Sequence, residues 1–398
     1  MCRNHAPAAW AETKLSDAKY ASELAAACEA VTLASKLCQR VQQQLTTSEK
    51  ADKDDASPVT VADYGAQALV AWVLQRADPS LKLSMVAEED SADLIAPSGA
   101  AMLARITQLI NSVLAEEEGA APLSEQDVVG LIELGGSQGG PQGRHWVLDP
   151  IDGTRGFVGM RQYAVCLGML QDGDVVLGVL GCPNLPQGAV GDDDGGAAAA
   201  GKSSSADVGC LFLAHRGAGA YVAPLSSSSS SSSSSLRRIS VRDESDMGNA
   251  RFMESYESRH SDHSFTAAVA KQAGVSLPPL RMDSQVKYGL LSRGDAGIFM
   301  RFPPPSYREK IWDHAAGCVI VEEAGGKVTD ASGARLDFAR GRWLDLDGGI
   351  IAAPPAVHDI KVAYKQRLEA FLAPEGAASG NRLLPLKNAG SSTPGSIL

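Results

Sequence analysis

Apolar side chains return every three or four residues along the first stretch of this chain. Tyr20, Leu24, Ala27, Val31, Ala34, Leu37, Val41 and Leu45 fall on one face of a helix predicted over about 17–45, with Ser16 as its cap. A polar break over 46–58 leads to VTVADYGAQALVAWVLQ, which reads as a short strand turning into a helix at Asp63. KLSMVAEED (82–90) reads as another strand that ends in acids, and a helical pattern covers roughly 99–117. After the Gly-rich loop GGSQGGPQG (135–143), the apolar triplet Trp146, Val147 and Leu148 runs straight into Asp149 and Asp152. QYAVCLGML, the turn QDGD and VVLGVLGCP predict a hairpin over 162–183, and GCLFLAHRG with GAYVAPL predicts a second. From Arg238 onward strands and helices alternate, as in a parallel sheet with helical crossovers.

Two segments break this pattern. Residues 188–207 and the serine run 226–235 lack apolar anchors, so both are expected to be loop insertions between strands. The expected organisation is a leader over 1–16, an N-terminal α+β domain over 17–235 that carries both insertions, a C-terminal α/β domain over 236–372, and a loose tail over 373–398.

Composition narrows the possible partners. A hydrophobic content of 44% is that of a globular protein, and a formal charge of −11 argues against a broad nucleic-acid-binding surface. An anionic small molecule remains acceptable if local cations or metal ions reverse the field at its site. The seven cysteines are an odd number without a Cys-x-x-Cys pair, which predicts buried thiols in a reducing compartment. Cys166 and Cys182 fall nearly opposite one another on the predicted hairpin, where inert thiols are favoured over a regulatory disulfide. No apolar run approaches the ~20 residues that span a bilayer, and the first sixteen residues lack the apolar centre of a signal peptide, so the expectation is a cytoplasmic protein without membrane contact, with a plastid or mitochondrial location as the alternative.

The candidate chemistry lies in the acids. Asp149 and Asp152 flank Pro150 and Ile151 at a strand-to-turn junction, where an Asx turn is the ordinary alternative. Asp63, Glu88 and Asp313 also stand at the ends of apolar stretches, in VTVAD, LSMVAEE and KIWD. Charged groups are seldom buried without partners, so convergence of these acids calls for a cation among them. An all-oxygen set selects a hard ion, Mg²⁺ above all. Two such ions about 3.5–4 Å apart can hold a phosphate ester and acidify water, with Thr154 aligning that water and Asp63 accepting a proton through the threonine hydroxyl.

DPIDGT, the Glu-Glu pair and WDHAAG resemble the inositol monophosphatase superfamily of Mg²⁺-dependent, lithium-sensitive phosphatases. Longer matches extend the resemblance over about 17–372, apart from the insertions: SPVTVADYGAQ (57–67), VAEEDS (86–91), WVLDPIDGTRGF (146–157), QYAV (162–165), GVLGCPNLP (178–186), DSQVKYG (283–289) and YREKIWDHAAG (307–317). They are most similar to the plant and algal members that act on nucleoside bisphosphates. The resemblance implies a layered αβαβα sandwich with the active site between its halves, and two or three Mg²⁺ ions. It places one ion on Glu88, Asp149 and the main-chain carbonyl of Ile151, and another on Asp149, Asp152 and Asp313. Asp63 and Thr154 match the water-activating pair.

Substrate contacts implied by the same resemblance are Thr154, His260, Ser284, Lys287, Arg301 and Asp313, with His263 as the alternative to His260. A substrate with two phosphates needs a cationic subsite beyond the metals, and Lys287 and Arg301 could supply it. The implied reaction removes the 3′-phosphate of adenosine 3′,5′-bisphosphate to give AMP, with 3′-phosphoadenylyl sulfate as a second substrate, in the nucleotide turnover of sulfur assimilation. An inositol polyphosphate 1-phosphatase and a non-catalytic bisphosphate sensor are the alternatives. Oligomeric state is left open.

Overall fold

The computed structural model describes residues 13–47, 58–79, 83–117, 119–190, 208–225, 236–243, 245–256, 263–304, 307–358, 360 and 365. The serine run, all but the first three residues of the 188–207 segment, most of the leader and the 373–398 tail lie outside them. Within the described residues the chain forms five layers, as the resemblance implied.

The outer layer is helical: α1 (Ala21–Thr47), α2 (Pro58–Ala77), α3 (Ala92–Ile95), α4 (Ala100–Leu114) and α5 (Glu125–Glu133). The periodic face of α1 is buried as expected, with Leu24, Val31, Leu37 and Val41 inside the core. Its start differs, because Ser16 bonds back to the Thr13 carbonyl within a preceding turn and the helix opens four residues later than capping by Ser16 would set. The expected strand at 58–62 is the first turn of α2 instead. Helix α2 packs against α1, α4, α5 and the sheet at once, so Val61, Ala62, Leu69 and Val73 are buried around its circumference. Tertiary burial of this kind overrides the β preference of Val59, Thr60 and Val61. Helix α5 was absent from the sequence expectation although Ser124 and Asp127 form a complete capping box.

Beneath these helices lies a seven-stranded sheet in sequence order. It comprises β1 (Met85–Ala87), β2 (Arg144–Asp152), β3 (Ala164–Gln171), β4 (Asp174–Pro186), β5 (Val208–His215), β6 (Gly219–Pro224) and β7 (Arg237–Ile239). β1 runs parallel to β2 and every later neighbour is antiparallel, so both predicted hairpins are present. β7, beyond the expected boundary at 235, pairs with β6 and completes this sheet. Cys182 is opposite Cys210 on β5, whereas Cys166 is opposite Leu180; Cys166 and Cys182 are therefore diagonal neighbours, and both are free thiols.

The middle layer is α8 (Val286–Arg293) and α9 (Ala315–Glu323), buried between this sheet and a second one. Close approach requires small residues: a Cβ on Gly178 of β4 would sit 2.6 Å from the Ala316 carbonyl oxygen. The second sheet has the order β11-β12-β10-β8-β9, from β8 (Phe252–Glu254), β9 (Leu280–Arg281), β10 (Ile298–Arg301), β11 (Lys327–Asp330) and β12 (Ile350–Ala353). Only β8, β9 and β10 are mutually parallel; β11 and β12 pair antiparallel, so the expected parallel sheet is mixed. α7 (His263–Gln272) covers its outer face through Phe265 and Val269. Among the described residues no helix is long and apolar enough to cross a membrane.

Candidate active site

The site begins with a register fault in β2. Along a regular strand alternate residues face opposite sides, so carboxylates three apart would point away from each other. Trp146 and Leu148 enter the core beneath α1 and α2, and Val147 enters the core around α8 and α9. Asp149 pairs with Cys166 and Asp152 with Ala164, so three steps on β2 match two on β3. Cys166 and Ala164 both belong to the inner core. Cross-strand partners share a face, and the bulge thus turns both aspartates inward together. On β1, Val86 pairs with Val147 on the same inner face, which sends Glu88, two residues on, toward Asp149.

The second half of the chain supplies the opposite wall. Asp313 ends a single 3₁₀ turn, Ile311–Asp313, ahead of α9. Ser284 and Gln285 lead into α8, and the Gln285 N–H donates to Asp152 Oδ2 at 2.5 Å. Glu88, Asp149, Ile151, Asp152, Thr154, Ser284, Lys287, Arg301 and Asp313 all line one cleft with a volume of about 340 Å³. Gly153 makes the junction between the walls: its φ is 92° and an added Cβ would stand 3.0 Å from Ser284 Cβ. Ser284 itself has φ 65°. Gly153→Ala is expected to cost about 1–2 kcal/mol from the left-handed backbone alone and to open the cleft by pushing Ser284 away, seen as a lower melting temperature and a raised KM.

Electrostatically the cleft is under strain. Asp149 is almost fully buried, and among the described residues its Oδ1 has no hydrogen-bond partner. Burial, then Glu88, Asp152, Asp313 and Asp63, push its carboxyl well above the ordinary range. Asp152 is raised to about 6 by burial, with Lys287 and the Gln285 N–H pulling the other way. Asp313 is raised to about 7 by burial, against the pull of Arg301 and His314. Asp63, in the interior of α2, does not line the cleft. It stands behind it, raised by burial and by Glu89 and Glu88, and among the described residues no hydrogen bond joins it to Thr154. Thr154 is exposed to the cleft at the start of α6 (Thr154–Val158).

The cationic subsite is more tightly tied than sequence suggested. Lys287 is buried; its Nζ donates to the carbonyls of Met282 and Ser284 at 2.9 and 2.7 Å, and burial lowers it to about 8 despite facing Asp152. Arg301 at the end of β10 makes a two-pronged pair with Glu309, at 2.6 and 2.9 Å. Burial alone would raise Glu309, but Arg301 and His314 outweigh it and hold the carboxyl at about 2. His314 Nε2 lies 3.1 Å from Glu309 and its Nδ1 is 2.9 Å from Tyr288 Oη. Sequence reasoning passed over Glu309, Lys310 and His314, although all three lie in the YREKIWDHAAG motif. Glu309, Asp313 and His314 bring ligand atoms within 4.8 Å of one another, yet both Glu309 oxygens already serve Arg301 and His314. His260 lies outside the described residues. His263, at the first position of α7, is not among the residues that line the cleft; its Nε2 lies 2.9 Å from the carbonyl of Ser255, which does line it.

A family model described as the inositol monophosphatase family matches residues 19–370. The chain belongs to the inositol monophosphatase family. Its phosphatases are metal-dependent, which agrees with an all-oxygen acid cluster around an unpartnered Asp149 oxygen. The chain is 49% identical over 358 residues to a 3′(2′),5′-bisphosphate nucleotidase of Oryza sativa, a match covering 88% of this chain and 97% of the relative. It is 51% identical over 336 residues to 3′(2′),5′-bisphosphate nucleotidase 1 of Arabidopsis thaliana, covering 84% and 92%. Among solved structures, CysQ from Bacteroides thetaiotaomicron shares the fold with a TM-score of 0.53 at 17% identity, covering 84% of this chain and 97% of that one.

Proposed function

We propose that this protein is a 3′(2′),5′-bisphosphate nucleotidase that removes the 3′-phosphate of adenosine 3′,5′-bisphosphate by direct attack of water. The observation that carries the reading is the inward convergence of Glu88, Asp149, Asp152 and Asp313 on a cleft where, among the described residues, an oxygen of Asp149 has no hydrogen-bond partner. The names of the plant relatives support the choice of substrate.

Glu88, Asp149 and the Ile151 carbonyl would hold one Mg²⁺, and Asp149, Asp152 and Asp313 another. Divalent ions bound there supply positive charge to the phosphate and acidify the attacking water. The chain's own residues do the rest. The Thr154 hydroxyl would orient the water in the cleft and pass its proton on to Asp63 behind it, which burial makes a strong base once it is ionised and which must close on Thr154 for the transfer. Ser284, Lys287 and Arg301 receive the phosphate that is not cleaved, with His260 as a further contact. Glu309 fixes the Arg301 guanidinium through Nε and one terminal nitrogen, which leaves its remaining N–H groups to meet the phosphate and offsets part of the arginine's charge. Ser255 and Ser284 line the cleft, but among the described residues no hydrogen bond joins either hydroxyl to a base, consistent with a single displacement by water.

The test is phosphate release from adenosine 3′,5′-bisphosphate, 3′-phosphoadenylyl sulfate and inositol 1,4-bisphosphate, each with Mg²⁺ and with chelator, and with added lithium. The nucleotide should have the highest kcat/KM, release should need Mg²⁺, and lithium should inhibit. A higher kcat/KM on the inositol bisphosphate would move the assignment to that substrate, and binding without release would make the protein a sensor.

A further inference from the structure

One wall of the cleft already carries a cation of its own. Lys310 Nζ lies 3.1 Å from Glu88 Oε1, and both residues line the cleft. Asp313 and Asp149 add their negative potential at the same ammonium. The main chain on both sides of this pair is held in place. Lys310 bridges Trp343, and the Ile311 N–H donates to the Arg342 carbonyl at 3.1 Å. Arg342 stacks on Trp312 and donates at 2.6 Å to the carbonyl of Ala87, the residue before Glu88. The lysine head, by contrast, is partly exposed and lies over Trp312, with Nζ 5.2 Å from the ring centroid. A flexible four-carbon stem on a fixed base can swing its head without moving the backbone. Its ammonium leaves Asp149 Oδ1 without a hydrogen-bond partner, so it satisfies only part of the acid cluster.

We propose that Lys310 is the exchangeable counter-ion of the site: it pairs with Glu88 in the metal-free protein, yields Glu88 to an incoming divalent ion, and then turns to the phosphate of the substrate. This deepens the metal-dependent phosphatase reading and rests on it. An ammonium and a divalent ion at the same carboxylate repel each other and compete for its lone pairs, so metal binding weakens the pair. The released ammonium then stands in a cleft whose acids are neutralised and whose guest is anionic. Metal and phosphate thereby assist each other through the lysine, and the coupling is reciprocal.

Calorimetric titration of Mg²⁺ into the full chain, followed by orthophosphate at saturating Mg²⁺, tests this without turnover. In Lys310→Met, Mg²⁺ should bind at least about fivefold tighter and orthophosphate at least about fivefold weaker than in the wild type, the lower end of site-to-site coupling. Lys310→Gln should repeat both changes, which separates loss of charge from any packing effect of methionine, and Lys310→Arg should restore the wild-type pattern. Unchanged or weaker Mg²⁺ binding, or unchanged orthophosphate binding, in neutral variants that melt as folded proteins overturns the exchange alone. Wild-type protein that takes up no Mg²⁺ overturns it together with the phosphatase reading.

Discussion

Asp149→Asn should abolish Mg²⁺-dependent phosphate release and yet melt at a higher temperature than the wild type when no metal is present. The two effects have one cause. Asp149 is buried, one of its oxygens is unpartnered, and Glu88, Asp152, Asp313 and Asp63 all act on it with the same sign. Asparagine keeps the volume and removes the charge, so the metal-free protein loses a repulsion that folding must otherwise overcome. It also loses the carboxylate shared by both proposed metal sites. A fall of about three orders of magnitude or more in kcat/KM corresponds to about 4 kcal/mol of lost transition-state stabilisation. Phosphate-release kinetics and melts in chelator read the two effects separately. Wild-type turnover would remove Asp149 from the site, and a melting temperature several degrees lower would mean that its charge is compensated in the metal-free protein.

The parts of this site that sequence revealed are those carried by local chemistry. DPIDGT announces two carboxylates at a strand end, and the hairpin that follows is plain in its alternating apolar residues and QDGD turn. That both carboxylates face the same way is not a local property. It depends on β3, where Cys166 and Ala164 set the bulge, and so on pairing between distant residues. The same distinction explains α2. Val59, Thr60 and Val61 favour a strand by themselves, and only the helices and sheet packed round them make a buried helix the better outcome. Glu309 shows the limit most clearly. In YREKIWDHAAG it reads as one charge in a polar run, and its role emerges only when β10 delivers Arg301 against it and α9 delivers His314. The cysteines repeat the lesson: Cys166 and Cys182 are near neighbours in the hairpin, but the residue opposite Cys182 comes from β5, beyond an insertion.

Metal-free protein should become less stable as pH rises from about 4 to about 7, and Mg²⁺ should reverse that trend. Asp152 is raised to about 6, Asp313 and Glu89 each to about 7, all with burial as the first cause, and Asp149 lies further in the same direction. In the unfolded chain these carboxyls release their protons near pH 4; in the folded chain they keep them to about 6–7. The folded state therefore binds more protons throughout this window, and stability must fall as pH climbs through it, levelling off above the folded-state values. Lys287 and Glu309 act elsewhere. Lys287, lowered to about 8, costs stability below that value and recovers it only on going toward its ordinary value of 10.5. Glu309, held at about 2, contributes stability above its ordinary value of 4.5 and loses it as pH falls toward 2. A divalent ion binds the charged carboxylates and competes with their protons, so its effect grows with pH, opposite in slope to the metal-free protein. At a hundredfold excess over its dissociation constant it contributes about 2.7 kcal/mol, enough to raise the melting temperature by a few degrees. Calorimetric melts from about pH 5 to about pH 7.5, with chelator and with Mg²⁺, should diverge steadily as pH rises. Parallel curves would show that the raised acids and the metal do not share the same oxygens. A metal-free melting temperature that climbs across this range would show that the acids are already compensated without an ion.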